Sequence, residues 1–279
     1  MNNKELVYHY TTINTLCELL NGIEHKPDAG IGSDKIEYYF LKFHASNSMF
    51  LDDPTENKLY IDALSEIFSD NLMFDFAKIV SNLLIGAPYV ISLSELSDDL
   101  NMWRNYTDDA HGVALGFELN KSTIKDANSK LDDIQFLNCE YTTKEKLIET
   151  IKSSDEYLKI KNDLDSILND RKVRIDNIER TIIQNCLVYK DIAYQSEKER
   201  RLAIFAHFDS KFKSRKNEIV NYKEIFIPLS ALKQITFAPL ANFNKINYSV
   251  SKMIREKISP NVNIDIEISK SKIPYSGKQ

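Results

Sequence analysis

The spacing of apolar residues changes several times along this chain, and each change predicts an element. Residues 6–10 form a short apolar run rich in β-formers and read as a first strand. Thr11 or Thr12 can cap the helix that follows over 13–20, where Ile13, Leu16, Leu19 and Leu20 share one helical face. Asn21 and Gly22 end it. Residues 38–43 read as a second strand and 48–51 as a short third piece. A turn with three carboxylates (Asp52, Asp53 and Glu56) precedes a helix that Thr55 can cap and that runs to residue 69. A partner helix is predicted over 74–84. The centre reads PYVISLSE (88–95), NMWRNY (101–106) and HGVALGFE (111–118): strand, polar turn, short amphipathic helix, glycine turn, strand. Another strand is expected at 138–141.

From 143 to 187 the pattern switches. Charge is dense, Gly and Pro are absent, and Leu147, Ile151, Leu158, Leu164, Ile167 and Leu168 recur at helical spacing. This predicts two or three helices, inserted in the sequence and packed on one side of a sheet. A polar turn and a strand over 201–205 follow, then strand-like pieces at 224–228 and 232–237 and a helix within 243–258. Residues 262–269 alternate with period 2, as a half-buried strand does. Strands in both halves with helices clustered between them predict an α+β fold. The expected organisation is a single domain, 1–279, carrying a helical insertion at 143–187.

Composition narrows the function more than the fold. At 279 residues the chain can bury a large core, and 43% hydrophobic with 28% charged residues is ordinary for a globular protein. A net charge of −5 argues against a nucleic-acid binder driven by phosphate neutralisation. Cys17, Cys139 and Cys186 are widely spaced and form no CxxC, which disfavours a disulfide framework or a zinc site and suits a reducing compartment. The opening MNNKEL has no apolar signal-like run, and no apolar stretch approaches the ~20 residues of a membrane helix. A cytoplasmic protein without a membrane partner is expected. His9, Asp52, Asp53, Glu56 and His111 are the conceivable metal ligands, but no HxH or HxxxH spacing supports them, so no metal is expected. Seven glycines leave little room for a glycine-rich phosphate loop.

Three segments carry candidate chemistry. On a strand, His9 and Thr11 share one face and Tyr10 takes the other. Ser92 and Ser94 likewise share a face, and Trp103, Arg104 and Tyr106 follow. Small hydroxyls beside aromatic and cationic groups suit a flat, phosphate-bearing ligand. Late in the chain, SEKERRL (196–202) holds Glu197 and Glu199. If extended, both carboxylates face one side, about 6–7 Å apart, where like charge can raise a pKa. Each segment alone also has a plain reading: a hydrogen-bonded strand histidine, a solvated serine face, a charged turn.

In combination, and in this order along the chain, a His-bearing first strand, a Ser-x-Ser strand and a late Glu-x-Glu resemble the ADP-ribosyltransferase superfamily. The chain also resembles a large family of uncharacterised bacterial proteins through His9-Tyr10-Thr11, Asp52-Asp53-Pro54 to Glu56, Trp103 to Phe117, Glu197 to Arg201, and Pro274-Tyr275. Asp52 stands where that family usually has Asn. The likeness spans most of the chain outside 143–187. It implies an ADP-ribosyltransferase-like split β-sheet core with flanking helices, and NAD as substrate. By this resemblance Glu199 would hold the 2′-hydroxyl of the nicotinamide ribose and stabilise the developing cation, with Glu197 orienting or deprotonating the acceptor. His9, assisted by Thr11, would bind the adenosine-side ribose. Ser92 and Ser94 would position ribose or glutamate. Tyr106, Trp103 or Tyr10 would stack on nicotinamide, and Arg104 would meet the pyrophosphate.

The acceptor of ADP-ribose is open: protein, nucleic acid, small molecule, or water, which would make a glycohydrolase. A toxin or anti-phage defence role follows by analogy with bacterial members of the superfamily. Two other classes remain: a non-catalytic nucleotide-binding sensor, and an interaction module that uses the helical insertion to hold a protein partner.

Overall fold

The structure is a computed structural model, which describes residues 6–26, 35–51, 57–68, 87–129, 131, 133–155, 157–162, 176–205, 209–215, 217–263 and 265–277. In chain order the elements are β1 (Val7–Thr11), α1 (Ile13–Asn21), β2 (Glu24–His25), β3 (Tyr39–Asn47), α2 (Leu59–Ile67), β4 (Tyr89–Ser94), α3 (Leu100–Tyr106), β5 (Val113–Phe117), α4 (Lys121–Ala127), β6 (Asp133–Asn138) and β7 (Glu140–Thr142). Then come α5 (Lys144–Ser153), α6 (Asp176–Val188), β8 (Tyr189–Asp191), β9 (Glu199–Phe205), β10 (Lys211–Arg215), β11 (Glu218–Pro228), β12 (Leu232–Phe237), α7 (Phe243–Lys257) and β13 (Glu267–Lys270). The protein is a mixed α+β fold.

One sheet runs β10-β11-β3-β4-β1-β5-β12-β13, with β2 beside β3 and with β9 and β6 extending from β4. The branch at β4 matters most. β9 pairs with β4 from Tyr89↔Ile204 to Ser94↔Glu199 and so takes one whole edge. The other edge is shared: β3 takes Tyr89 and Val90, and β1 takes Ser94. Two wings of the sheet therefore part along a single strand, and a gap opens where they separate.

Packing holds the wings. Leu16, Leu19 and Leu20 of α1 and Val250, Ile254 and Ile258 at α7 bury against Leu41, Phe43, Leu115, Phe117 and Ile235 of the strands. Thr12 caps α1, its hydroxyl accepting from the Thr15 N–H at 3.2 Å. On the other side of β1, Tyr8 and Tyr10 pack with Met102 and Trp103 of α3 and with Ala110, Ala114 and Ala238. The turn into β5 needs glycine, because a Cβ on Gly112 would stand 2.2 Å from the Thr11 carbonyl oxygen.

Helices α5 and α6, from the charge-rich stretch, build a separate small core with α2: Tyr60, Ala63, Leu64, Leu147, Ile151, Ile160, Ile182 and Cys186. α6 also touches the sheet, where Leu187 at its end meets Val90, Leu137 and Ala203 and Arg180 pairs with Asp133 of β6. These helices thus lean mainly on α2 rather than on the sheet.

Several expectations are corrected. Residues 48–50 form a 3-10 turn, with the Asn47 side chain accepting from the Met49 N–H, and not a strand. The period-2 stretch 262–269 is strand only over Glu267–Lys270, paired parallel to β12. β6 and β10 were not anticipated. The turn at 52–56 with its Thr55 cap, and the helix at 74–84, lie outside the described residues. Among the described residues, no helix is long and apolar enough to cross a membrane.

Candidate functional site

The parting of β1 from β3 leaves a cavity of about 920 Å³. That is within the size range of small-molecule pockets, roughly 300–1,000 Å³. His9, Tyr10, Thr11, Ser92, Tyr106, Glu197 and Glu199 all line it. Three segments, with His9 83 residues from Ser92 and Tyr106 91 residues from Glu197, thus meet at one place.

His9 fills the gap in the sheet. Its Nδ1 lies 3.0 Å from the Ser92 carbonyl, which can only accept, so Nδ1 carries the proton. Burial lowers the pKa of His9, against the bond to Ser92 that raises it. The ring is therefore neutral near pH 7 and its Nε2 is an acceptor. Phe43 on β3 packs edge-on to the ring at 5.5 Å.

The glutamate pair is not extended strand. Glu197 ends a 3-10 turn over Ile192–Glu197, Lys198 is left-handed at φ 44°, and Glu199 begins β9. The expectation of two carboxylates repelling along one strand face is overturned by a lysine between them. Lys190, from β8, donates through Nζ to Glu197 Oε2 and to Glu199 Oε2, each at 2.8 Å. Arg201, wholly buried, forks onto Glu199 through Nε (3.0 Å) and one terminal nitrogen (2.9 Å), while its other terminal nitrogen donates to the Leu187 carbonyl. Burial alone would raise the Glu199 pKa. Arg201 and Lys190 outweigh it and hold the carboxyl down at about 2.

Glu197 is held more lightly. Tyr106 donates its phenol to Glu197 Oε1 at 2.6 Å. Burial and the carboxylate push the phenol pKa up, so Tyr106 keeps its proton at neutral pH. The Glu197 carbonyl accepts from the Ser94 hydroxyl at 2.7 Å. The Glu199 N–H donates to the Tyr141 hydroxyl at 2.6 Å, and burial pushes that phenol up to about 12. Two carboxylates thus sit over a lysine and an arginine with their oxygens aimed by named donors.

Other sequence candidates lie elsewhere. Ser94 is buried and acts on the Glu197 backbone rather than lining the cavity. Trp103 is fully buried beneath Tyr10, its indole N–H donating to Asp98 Oδ1 at 2.6 Å. Arg104 is exposed on α3, 3.9 Å from Asp109 Oδ1, and does not line the cavity. Stacking by Trp103 and phosphate binding by Arg104 therefore do not fit this geometry. Tyr106 does reach the cavity, whereas the Tyr10 ring packs against Trp103 at 4.7 Å and its hydroxyl donates to the Leu96 carbonyl at 2.9 Å, which does not fit stacking on a ligand in the cavity.

Sequence reasoning missed Lys190, Tyr141, and the role of Arg201. Lys190 carried a faint signal: one cation between Leu187-Val188-Tyr189 and Ile192-Ala193-Tyr194. Such isolation in apolar surroundings implies a buried partner for the charge. Among the described residues, no group of three or more His, Cys, Asp or Glu is placed to hold a metal ion.

Residues 102–202 match the model of a family described as "Protein of unknown function (DUF2971)". The match covers α3 through the start of β9, including Tyr106, Lys190, Glu197, Glu199 and Arg201. The His9-Tyr10-Thr11 and Pro274-Tyr275 landmarks fall outside it. No curated protein and no solved structure matches the chain.

Proposed function

We propose that the cavity binds NAD and that the protein is an ADP-ribosyltransferase-like enzyme cleaving the nicotinamide N-glycosidic bond. The observation that carries this reading is the convergence of His9, Ser92 and the Glu197/Glu199 pair on one pocket at the split of the sheet. In the reaction the C1′–N bond breaks and its electron pair leaves with nicotinamide. The ribose is left as an oxocarbenium-like cation. An acceptor nucleophile then bonds to C1′ and loses its proton. The acceptor is a protein, a nucleic acid, a small molecule or water, and a toxin or defence role is a proposal by analogy.

A preorganised carboxylate beside C1′ is what such a cation needs. Of the two, Glu197 is better suited to face substrate. Its restraints are one phenol and one lysine, whereas Glu199 is clamped by the Arg201 fork as well. Glu199 then anchors Lys190, and through it Glu197. Neutral His9 offers its Nε2 to a ribose hydroxyl.

The clamped Glu199 also favours a second reading, a nucleotide-binding sensor without turnover, because an ion-paired carboxylate serves binding equally well. Nicotinamide release from NAD by the purified protein separates the two. Turnover by the wild type that is lost in Glu197→Gln and in His9→Ala, with both variants folded by circular dichroism, supports the enzyme. Tight NAD binding without nicotinamide release, even with cell lysate supplying acceptors, supports the sensor.

A further inference from the structure

With Arg104 away from the cavity and Lys190 committed to two glutamates, the diphosphate of a dinucleotide needs its counter-charge elsewhere. The same cavity supplies it at the opposite wing. On β10, Lys211, Lys213 and Arg215 alternate with Phe212 and Ser214, so period 2 places the cations on one face. Register carries that face inward: Lys211 pairs with Tyr222 of β11, and Tyr222 with Ser46 of β3, so Lys42, His44 and Ser46 stand on the same side. Lys42, His44, Lys213 and Arg215 all line the cavity.

Their present partners differ. Lys42 is paired with Glu24 at 2.8 Å, and Lys211, outside the lining, with Glu224 at 2.7 Å. Arg215 donates to the Phe50 carbonyl at 2.6 Å, which fixes its guanidinium. Lys213 lies over the Tyr222 ring at 5.1 Å and has no ion pair among the described residues. Burial lowers its pKa, Arg215 adds to the fall, and Glu18 on α1 offsets part of it. His44, its ring tilted by 40° against Tyr222 with centroids 4.2 Å apart, is lowered by burial and then by Lys213. An unpaired, half-desolvated ammonium beside a fixed guanidinium carries a cost that a bound anion relieves.

We propose that Lys213 and Arg215, with His44 beside them, form an anion subsite that takes the diphosphate of the bound nucleotide. This rests on the reading of the cavity as a dinucleotide site and gives the ligand a direction. The nicotinamide ribose lies at Lys190, Glu197 and Glu199, and the phosphates lie toward the β3–β10 wing. The ligand class is a nucleoside diphosphate or its conjugate, and the bonds to phosphate are charge-assisted.

Calorimetric titration with ADP and with adenosine tests it. Wild type is expected to prefer ADP by at least about tenfold, the size of one charge-assisted bond. Lys213→Gln and Arg215→Gln should each lose most of that preference with adenosine affinity unchanged, while Lys211→Gln keeps it. The proposal is overturned if wild type binds ADP no better than adenosine, binds neither, or discriminates equally well without Lys213. The two readings fail separately. NAD turnover with an unchanged KM in Lys213→Gln sinks the subsite alone. Lys213-dependent ADP binding with no NAD binding or turnover sinks the NAD reading alone.

Discussion

Remove the Lys190 ammonium and Glu197 and Glu199 lose the group that joins them. Lys190→Met should therefore impair ligand turnover although Lys190 sits outside the Glu-x-Glu segment, and the pH profile of turnover should shift upward as Glu199 loses one of the two cations that lower its pKa. Arg201→Ala should be worse for the fold, because it strands a buried carboxylate: a loss of roughly 3–5 kcal/mol, read from chemical denaturation. Acid should act through the same pair. The folded-state pKa of Glu199 is lowered from 4.5 to about 2. Its stabilisation is full above pH 4.5 and is lost as pH falls toward 2. His9 acts at higher pH. Its pKa lies below the ordinary 6.5, so its contribution is present above that value and fades as pH drops beneath it. The melting temperature should fall on acidification below pH 6.5, more shallowly in His9→Gln; His44 shares the direction and leaves a residual slope. At this scale the sequence announced His9, Ser92, Glu197 and Glu199 as chemistry but not their wiring. Lys190 and Tyr141 arrive through strand pairing of β7 with β8, a long-range contact that no local spacing encodes.

Elements with strong local patterns were legible. The cap at Thr12 and the apolar face of α1, the alternation within β4 and the short buried run of β5 all declare themselves. β6 (DIQFLN) and β10 (KFKSR) did not, since partial exposure and charge blur their period. The clean alternation at 262–269 failed in the other direction, because pairing with β12 begins only at Glu267 and takes in its last three residues. Trp103 was read as a ligand contact and is instead a fastening. Asp98 Oδ1 accepts from its indole and from the Ser271 hydroxyl at 2.6 Å each, and Oδ2 accepts from the Lys272 N–H at 2.9 Å. One carboxylate thus ties α3 to the segment after β13. Asp98→Ala should cost about 1–3 kcal/mol through the stranded indole N–H and loosen the end of the chain, measurable as faster amide exchange at 271–275. Gly112→Ala should destabilise by a similar ~1–3 kcal/mol, since its methyl would press on Thr11 at the end of β1.

Over the whole molecule, two apolar cores meet near the glutamate pair. The sheet core positions β1, β3 and β4. The α2–α5–α6 core delivers Val188, and with it β8 and Lys190. A cavity mutation in the helical core should therefore be felt at the site. Leu147→Ala should lose roughly 2–5 kcal/mol and lower turnover by loosening Lys190, with the sheet wings unaffected. The α+β class could be read from the order of strands and helices. The split at β4 could not, because it depends on which strands share an edge. The central claim is that this split is where the nucleotide binds, and hydrogen–deuterium exchange with and without NAD tests it most directly. The account predicts added protection confined to residues 7–11, 42–46, 89–94, 102–106, 189–199 and 211–215. Protection that falls elsewhere, or none at saturating NAD, would contradict it.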